Sequence, residues 1–379
     1  MGGGNMFGRR AETRAGRWAA TFAAGLLFAA ALAVPAAPAA DLDRRLVLVT
    51  LDGLNWTEVF RGADPERAAD PAFVAERDRI KADFVAPADR ARALMPFLHD
   101  VVAKEGVLIG DRDHGSCAAV ANDQWFSYPG YNEILTGRPD PAITSNEHGP
   151  NRNVTVLEWL NRQPGVAGRV RAVASWANFT DIINASRSGV PVNAGWEGGA
   201  GDGPDAALIA GLEAGAPRLW PTVRLDTFTH AQALDALRRH RPRVLYVSYG
   251  ETDDFAHEGR YDQTLWAARR ADAFIAEIWR TLQADPDYAG RTTLIVTTDH
   301  GRGEGDREAW KHHGKPNHKG SDAVWIAAMG PDVRPPESSK ACASLSQVAA
   351  TAVKALGLDW RAFHTEAGAP LDIFGTGRP

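Results

Sequence analysis

Leu46-Val47-Leu48-Val49-Thr50-Leu51-Asp52-Gly53-Leu54 is an apolar run that stops at an acid and a glycine. A run this short, with almost no polar position, predicts a strand buried on both faces, as in a parallel sheet covered by helices. Similar runs recur at Val107-Leu108-Ile109, Val170 to Ala174, Val244 to Val247, Thr293 to Thr297 and Val324 to Ala328. Between them lie helical patterns. Val156, Leu157 and Leu160 share one face, and so do Ala231, Leu234 and Leu237. The clearest runs from Asp262 to Leu282, with Leu265, Ala268, Ala271, Phe274, Ile275 and Ile278 near helical spacing. Strands alternating with helices predict an α/β fold, a three-layer sandwich around a mostly parallel sheet. The stretch 189–221 breaks the alternation. It is rich in Gly, Pro and Ala and carries Trp196 and Trp220. It reads either as a small inserted cap over the sheet edge or as an ordered surface loop.

The chain has 379 residues, 44% of them hydrophobic, with a net charge of -5. That is enough apolar material for one large core. No basic tract is present, so binding of a nucleic acid polymer is not expected. Arg9, Arg10, Arg14 and Arg17 precede a charge-free apolar run from Trp18 to Val34, and Ala37-Pro38-Ala39 offers a cleavage site. Residues 1–39 therefore read as a secretory signal peptide. A retained anchor is the competing reading, but the run is shorter than the roughly 20 residues a spanning helix needs. The mature chain, residues 40–379, is expected in the periplasm or outside the cell, with no stable membrane insertion. Cys117 and Cys342 could form a disulfide there or remain two buried thiols.

Acids and histidines gather where the predicted strands end, which is where α/β sheets place their active groups. Asp52 ends the first run. Glu251, Asp253, Asp254 and His257 follow Val244 to Val247, and Asp299 and His300 end Leu294 to Thr297. His312, His313 and His318 come next. Carboxylates and imidazoles drawn from separate strands suit borderline divalent metals, zinc first. Each piece alone has a plainer reading. Asp52 could cap a helix, and Asp253 with His257 could be a solvated pair one turn apart. Ser127, in Ser127-Tyr128-Pro129-Gly130-Tyr131, stands at the start of a helix predicted over 128–136, with Pro129 in its first turn. It could cap that helix, or meet a phosphate at the helix N-terminus.

Taken together these residues resemble the alkaline phosphatase superfamily, and within it the type I phosphodiesterase/nucleotide pyrophosphatase branch. The resemblance runs from Leu46 to about Leu358 and makes residues 40–379 one catalytic domain. It implies Ser127 as nucleophile, matched by Ser127-Tyr128-Pro129-Gly130-Tyr131 with Thr136-Gly137. It implies two divalent metal ions, one held by Asp52, Ser127, Asp299 and His300, the other by Asp253, His257 and His313. His312 and His318 are alternatives to His313. Asn146 is the implied contact to a phosphate oxygen, with Asn153 in reserve. A sulfatase is disfavoured, because the Arg of the Cys/Ser-x-Pro-x-Arg pattern is missing. No phosphate-gripping Arg stands beside the nucleophile. The implied activity is hydrolysis of a small-molecule phosphate mono- or diester through a phosphoserine. The alternatives are a phosphotransferase or mutase, or a non-catalytic metal- or phosphate-binding protein.

Overall fold

The computed structural model describes Met1 and residues 44–196, 201–335 and 342–375. The signal peptide read in residues 1–39 lies, Met1 apart, outside the described residues. Among the described residues ten strands occur in chain order: β1 (Arg45–Leu51), β2 (Val107–Ile109), β3 (Ala118–Ala119), β4 (Val170–Ala174), β5 (Val192–Ala194), β6 (Val244–Tyr249), β7 (Thr292–Thr297), β8 (Ala323–Val324), β9 (Ile326–Met329) and β10 (Ala343–Ser344). Seven form the central sheet in the order β2-β9-β7-β1-β6-β4-β5. β1 sits in its middle, paired in parallel with β6 and β7.

Alternation along β1 explains why Leu46 to Val49 and Leu51 are all apolar. Leu46 and Leu48 enter the core on one face, and Val47, Val49 and Leu51 the core on the other. β6 divides in the same way, Val244 and Tyr246 against Leu245, Val247 and Tyr249. Helices cover both faces, among them Ser127–Thr136 and Val348–Ala355 on one and Asp226–His240 and Tyr261–Ala284 on the other. The expected three-layer α/β sandwich is what the chain adopts.

Two runs expected as parallel strands differ. β2 is an edge strand antiparallel to β9, and β9 is itself antiparallel to β7. Both faces of β9 are still buried, so an all-apolar pattern carries no information on strand direction. The run Val324 to Ala328 is also broken. Ala323–Val324 joins a separate three-stranded sheet with β3 and β10, and Ile326 starts the main-sheet strand. At the break the Trp325 indole Nε1 donates to Leu54 O at 2.9 Å, beneath the loop after β1. A disulfide joins Cys117 and Cys342 beside this small sheet.

Within 189–221 the described residues contain β5, parallel to β4, and the helix Ala206–Gly215. Trp196 Nε1 donates to Trp220 O, and Trp220 Nε1 donates to Glu258 Oε1. Trp220 also packs edge-on against Phe255. The stretch is thereby tied to the end of the Glu251–His257 helix. Among the described residues no helix is long and apolar enough to cross a membrane.

Candidate functional site

The parallel strands β1, β6 and β7 deliver their carboxyl ends to one edge of the sheet. Asp52 follows β1 directly, Asp299 and His300 follow β7, and the helix Glu251–His257 follows β6 after one residue. Within that helix Asp253 and His257 lie one turn apart, so both side chains face the same way.

The helix Ser127–Thr136 brings its first residue into this group. Pro129 suits the first turn, and Gly137 ends the helix in a left-handed conformation at φ 76°. Gly130 lets the helix approach closely, for a Cβ there would stand 2.4 Å from Asp299 O. Trp125, two residues before Ser127, holds φ 59°, a costly conformation for a bulky residue. Asn122 Oδ1 fixes that turn by accepting from Gln124 N and Trp125 N at 2.9 and 3.0 Å. Ser127 is therefore not a cap. Its Oγ donates to Asp52 Oδ1 at 3.5 Å and lies 3.3 Å from His300 Nε2. Asn146 sits at the same helix end, its Oδ1 accepting from Tyr128 N at 2.9 Å. Asn153 is used otherwise, donating to Asn132 and Asp140 and accepting from Arg138.

The ligand candidates form two overlapping groups, Asp52/Asp299/His300 and Asp253/His300/His313, with His300 common to both. His257 stands at the edge of the second. Its Nε2 is 2.9 Å from His313 Nε2 and 3.1 Å from Asp253 Oδ2. Of the three histidines after β7, His313 reaches Asp253, at 3.6 Å. His312 and His318 pair with each other, ring centroids 5.4 Å apart.

Crowding of buried acids dominates the electrostatics. Burial, and then the neighbouring Asp253, push the Asp52 carboxyl up. Burial, and then Asp52, push Asp299 well up. Burial opposes charge on His300, but the surrounding carboxylates outweigh it and raise the imidazole to about 9. Burial and the adjacent His300 hold His313 well below its usual range. Burial also acts to raise Asp253, yet His257, Arg302 and His313 overcome it and keep that carboxyl well below the usual range.

Several contributors were not legible in the sequence. The Arg302 Nη1 donates to Asp253 Oδ1, while its Nε and Nη2 donate to Trp310 O and Lys311 O. All three nitrogens are engaged and the side chain is buried, so Arg302 orients Asp253. The Tyr131 hydroxyl donates to Asp52 Oδ2 at 3.0 Å, and the Thr252 hydroxyl donates to Asp52 O. Gly53 N donates to Asp299 Oδ1 at 3.0 Å. A Cβ on Gly53 would lie 2.5 Å from Asp253 Oδ1, and its φ of +58° is also left-handed. His300 Nδ1 lies 2.9 Å from Gly301 O. A carbonyl only accepts, so Nδ1 carries a proton and Nε2 is the nitrogen that faces the carboxylates.

This donor set fits divalent cations. Among the described residues Asp299 Oδ2 and His313 Nδ1 are buried without a hydrogen-bond partner, and buried polar atoms are rarely left so. Burial and then a neighbouring carboxylate push Asp52 and Asp299 up, and bound cations would supply the positive charge that offsets this crowding.

A family model described as the Metalloenzyme superfamily matches residues 196–360. That range holds Asp253, His257, Asp299, His300 and His313, but not Asp52 or Ser127. A stretch of 102 residues is 28% identical to a 2,3-bisphosphoglycerate-independent phosphoglycerate mutase of Gracilaria tenuistipitata var. liui. The match covers 27% of this chain and about a fifth (19%) of the mutase. Among solved structures, the alkaline phosphatase PafA superposes with a TM-score of 0.58 at 11% identity, over 88% of this chain and 99% of that one. A putative sulfatase from Bacteroides thetaiotaomicron gives 0.54 at 11% identity, over 86% and 73%. The lipoteichoic acid synthase LtaP from Listeria monocytogenes gives 0.52 at 10%, over 87% and 75%. At these identities the structures speak for the fold alone.

Proposed function

We propose that the chain is an alkaline phosphatase-like metalloenzyme and, from that premise, an exported two-metal hydrolase of phosphate mono- or diesters with Ser127 as nucleophile. The observation that carries this reading is the Ser127 Oγ, 3.3 Å from His300 Nε2 and 3.5 Å from Asp52 Oδ1 at the start of a ten-residue helix.

Asp52, Ser127, Asp299 and His300 would hold one cation, and Asp253, His257 and His313 the other, zinc suiting the mixed set best. When bound, such cations supply Lewis-acid charge that favours the serine alkoxide and offsets charge on the phosphoryl oxygens. The chain does the rest by position. Tyr131 and Thr252 hold Asp52 under the serine, Arg302 holds Asp253, and Gly301 O fixes the His300 tautomer. The positive end of the Ser127 helix dipole faces the phosphoryl group. Asn146, held by Tyr128 N through its Oδ1, has its Nδ2 left to donate to a phosphoryl oxygen. In the first step the Ser127 Oγ–P bond forms, the bond to the leaving oxygen breaks, and that oxygen takes up a proton. Water then attacks phosphorus, the P–Oγ bond breaks and Ser127 recovers its proton. Two displacements predict retained configuration at phosphorus.

Export is supported by the Cys117–Cys342 disulfide, a bond at home in an oxidising compartment. The Trp196–Trp220–Glu258 chain of hydrogen bonds supports reading 189–221 as a cap seated beside His257. The mutase match favours one rival, transfer of the phosphoryl group to another hydroxyl rather than to water.

The test is a panel of nitrophenyl mono- and diesters with elemental analysis of the same protein. Turnover lost in Ser127→Ala with metal content kept is the expected result. Unchanged turnover in Ser127→Ala contradicts the reading, and phosphorylated acceptor alcohol in place of free phosphate supports transfer.

A further inference from the structure

The chain leading into Ser127 is bent by one buried side chain. Asn122 is 4% exposed. Its Oδ1 accepts from Gln124 N and Trp125 N at 2.9 and 3.0 Å, closing an Asx turn. Its Nδ2 donates to Glu133 Oε2 at 3.0 Å, and its backbone N donates to the same oxygen at 2.9 Å. The two backbone amides can only donate, and the Glu133 carboxylate takes N–H groups from Ala121 and Ser346 as well. The place between them calls for an acceptor on one side and a donor on the other, and a side-chain amide offers both. Glu133 lies on the same helix as Ser127, about 9 Å further along its axis. The turn is thereby tied to the helix it introduces.

Held in this way, Trp125 keeps its left-handed φ of 59°, and Phe126 follows in extended backbone at φ -145° and ψ 177° with no side-chain cap. The helix then starts at Ser127 itself, whose Oγ faces Asp52 and His300. On the outer side, the segment after His313 closes on the same turn. Lys315 N donates to Gln124 O at 3.0 Å, while Lys315 Nζ pairs with Asp123 and lies 5.1 Å from the Trp125 ring centroid. The turn is thus the joint between the Ser127 helix and the loop that carries His313.

We infer that Asn122 is a positioning residue for the reaction: by locking the turn 122–125 to Glu133 it sets the direction in which the Ser127 Oγ leaves the backbone, and through that the rate of attack on phosphorus. Its side-chain hydrogen bonds run to the turn and to Glu133, and none reaches a candidate ligand among the described residues, so it acts through Ser127. The inference rests on the reading that Ser127 is the nucleophile.

The test follows kcat on a nitrophenyl phosphate ester, zinc content and the inhibition constant of inorganic phosphate through one series of variants. Asn122→Ala lowers kcat by about a hundredfold, the cost of displacing a reacting group by about 1 Å, while zinc content and phosphate inhibition keep their wild-type values. Asn122→Ser recovers part of the loss, because a hydroxyl makes the same turn more weakly. In the Ser127→Ala background Asn122→Ala brings no further loss, since both changes act on one oxygen. Unchanged kcat in Asn122→Ala overturns the inference. So does a fall in kcat matched by an equal fall in zinc content, or a full further loss on top of Ser127→Ala. Should Asn122→Ala fail to fold, Asn122→Ser decides alone: a lower kcat at full zinc content supports positioning, and wild-type kcat overturns it. Unchanged turnover in Ser127→Ala contradicts the nucleophile reading itself, whereas turnover lost there but kept in Asn122→Ala contradicts the positioning role alone.

Discussion

At the scale of single residues, the site depends on close approaches that admit no extra atoms. Gly130→Ala would drive a methyl into the Asp299 carbonyl. The Ser127 helix would have to move outward, and a shift of about 1 Å in a catalytic group can cost about a hundredfold in rate. The expected outcome is a folded protein with kcat reduced by that order, read by steady-state kinetics beside a circular dichroism spectrum. Arg302 gives a second prediction. Arg302→Met removes the guanidinium from Asp253 and frees two backbone carbonyls, so affinity for one of two metals should fall about ten- to a hundredfold. Titration of metal-free protein with zinc reads this directly as one weakened site and one unchanged. Asp52, Asp253, His257, Asp299 and His300 stood out as candidates in the sequence because each comes soon after an apolar strand. Arg302, Tyr131 and Thr252 did not. Their contribution comes from hydrogen bonds to side chains far away in the chain, and no local pattern encodes those.

At the scale of elements, buried carboxylates pin helices to loops. Glu133, on the Ser127 helix, accepts from Ala121 N, Asn122 N and Ser346 N and from the Asn122 and Ser344 side chains. It ties the helix to the loop before it and to the start of the Val348–Ala355 region. Glu133→Ala leaves several buried donors unpaired at about 1–3 kcal/mol each, so a loss of roughly 3 kcal/mol or more is expected in urea unfolding. Asp272 pins the long helix Tyr261–Ala284 to Phe97 N and Leu98 N at 2.8 and 2.9 Å. Burial pushes its carboxyl up to about 6. A folded-state value above the unfolded one means that folding takes up a proton between about pH 4 and about pH 6. The stabilising contribution is complete below that window and is lost as pH rises through it. Asp272→Asn should therefore flatten the fall in stability from about pH 4 to about pH 6 relative to wild type, measured by denaturant unfolding across that range. Element positions were largely visible in the apolar periodicity. Strand direction at β2 and β9 was not, since a strand buried on both faces has the same composition whichever way it runs.

At the scale of the whole molecule, the parallel core of the sheet gathers groups from β1, β6 and β7 to one edge, and the disulfide closes the periphery. Cys117 and Cys342 are 225 residues apart in sequence. Opening a loop of that length by Cys117→Ser with Cys342→Ser is expected to cost about 2–4 kcal/mol. A fall in the thermal midpoint of a few degrees, with activity at room temperature retained, is the anticipated result. Alternation of strands and helices was sufficient to read the sandwich. The small sheet of β3, β8 and β10 escaped, because two-residue strands carry no periodicity. The central claim, that the Ser127 oxygen becomes covalently bound to phosphorus, is tested most directly by mass spectrometry of acid-quenched enzyme during turnover of a nitrophenyl phosphate ester. The account predicts one phosphoryl group on the peptide containing Ser127, absent in Ser127→Ala. Steady turnover with that peptide unmodified at every quench time, and undiminished in Ser127→Ala, would contradict it.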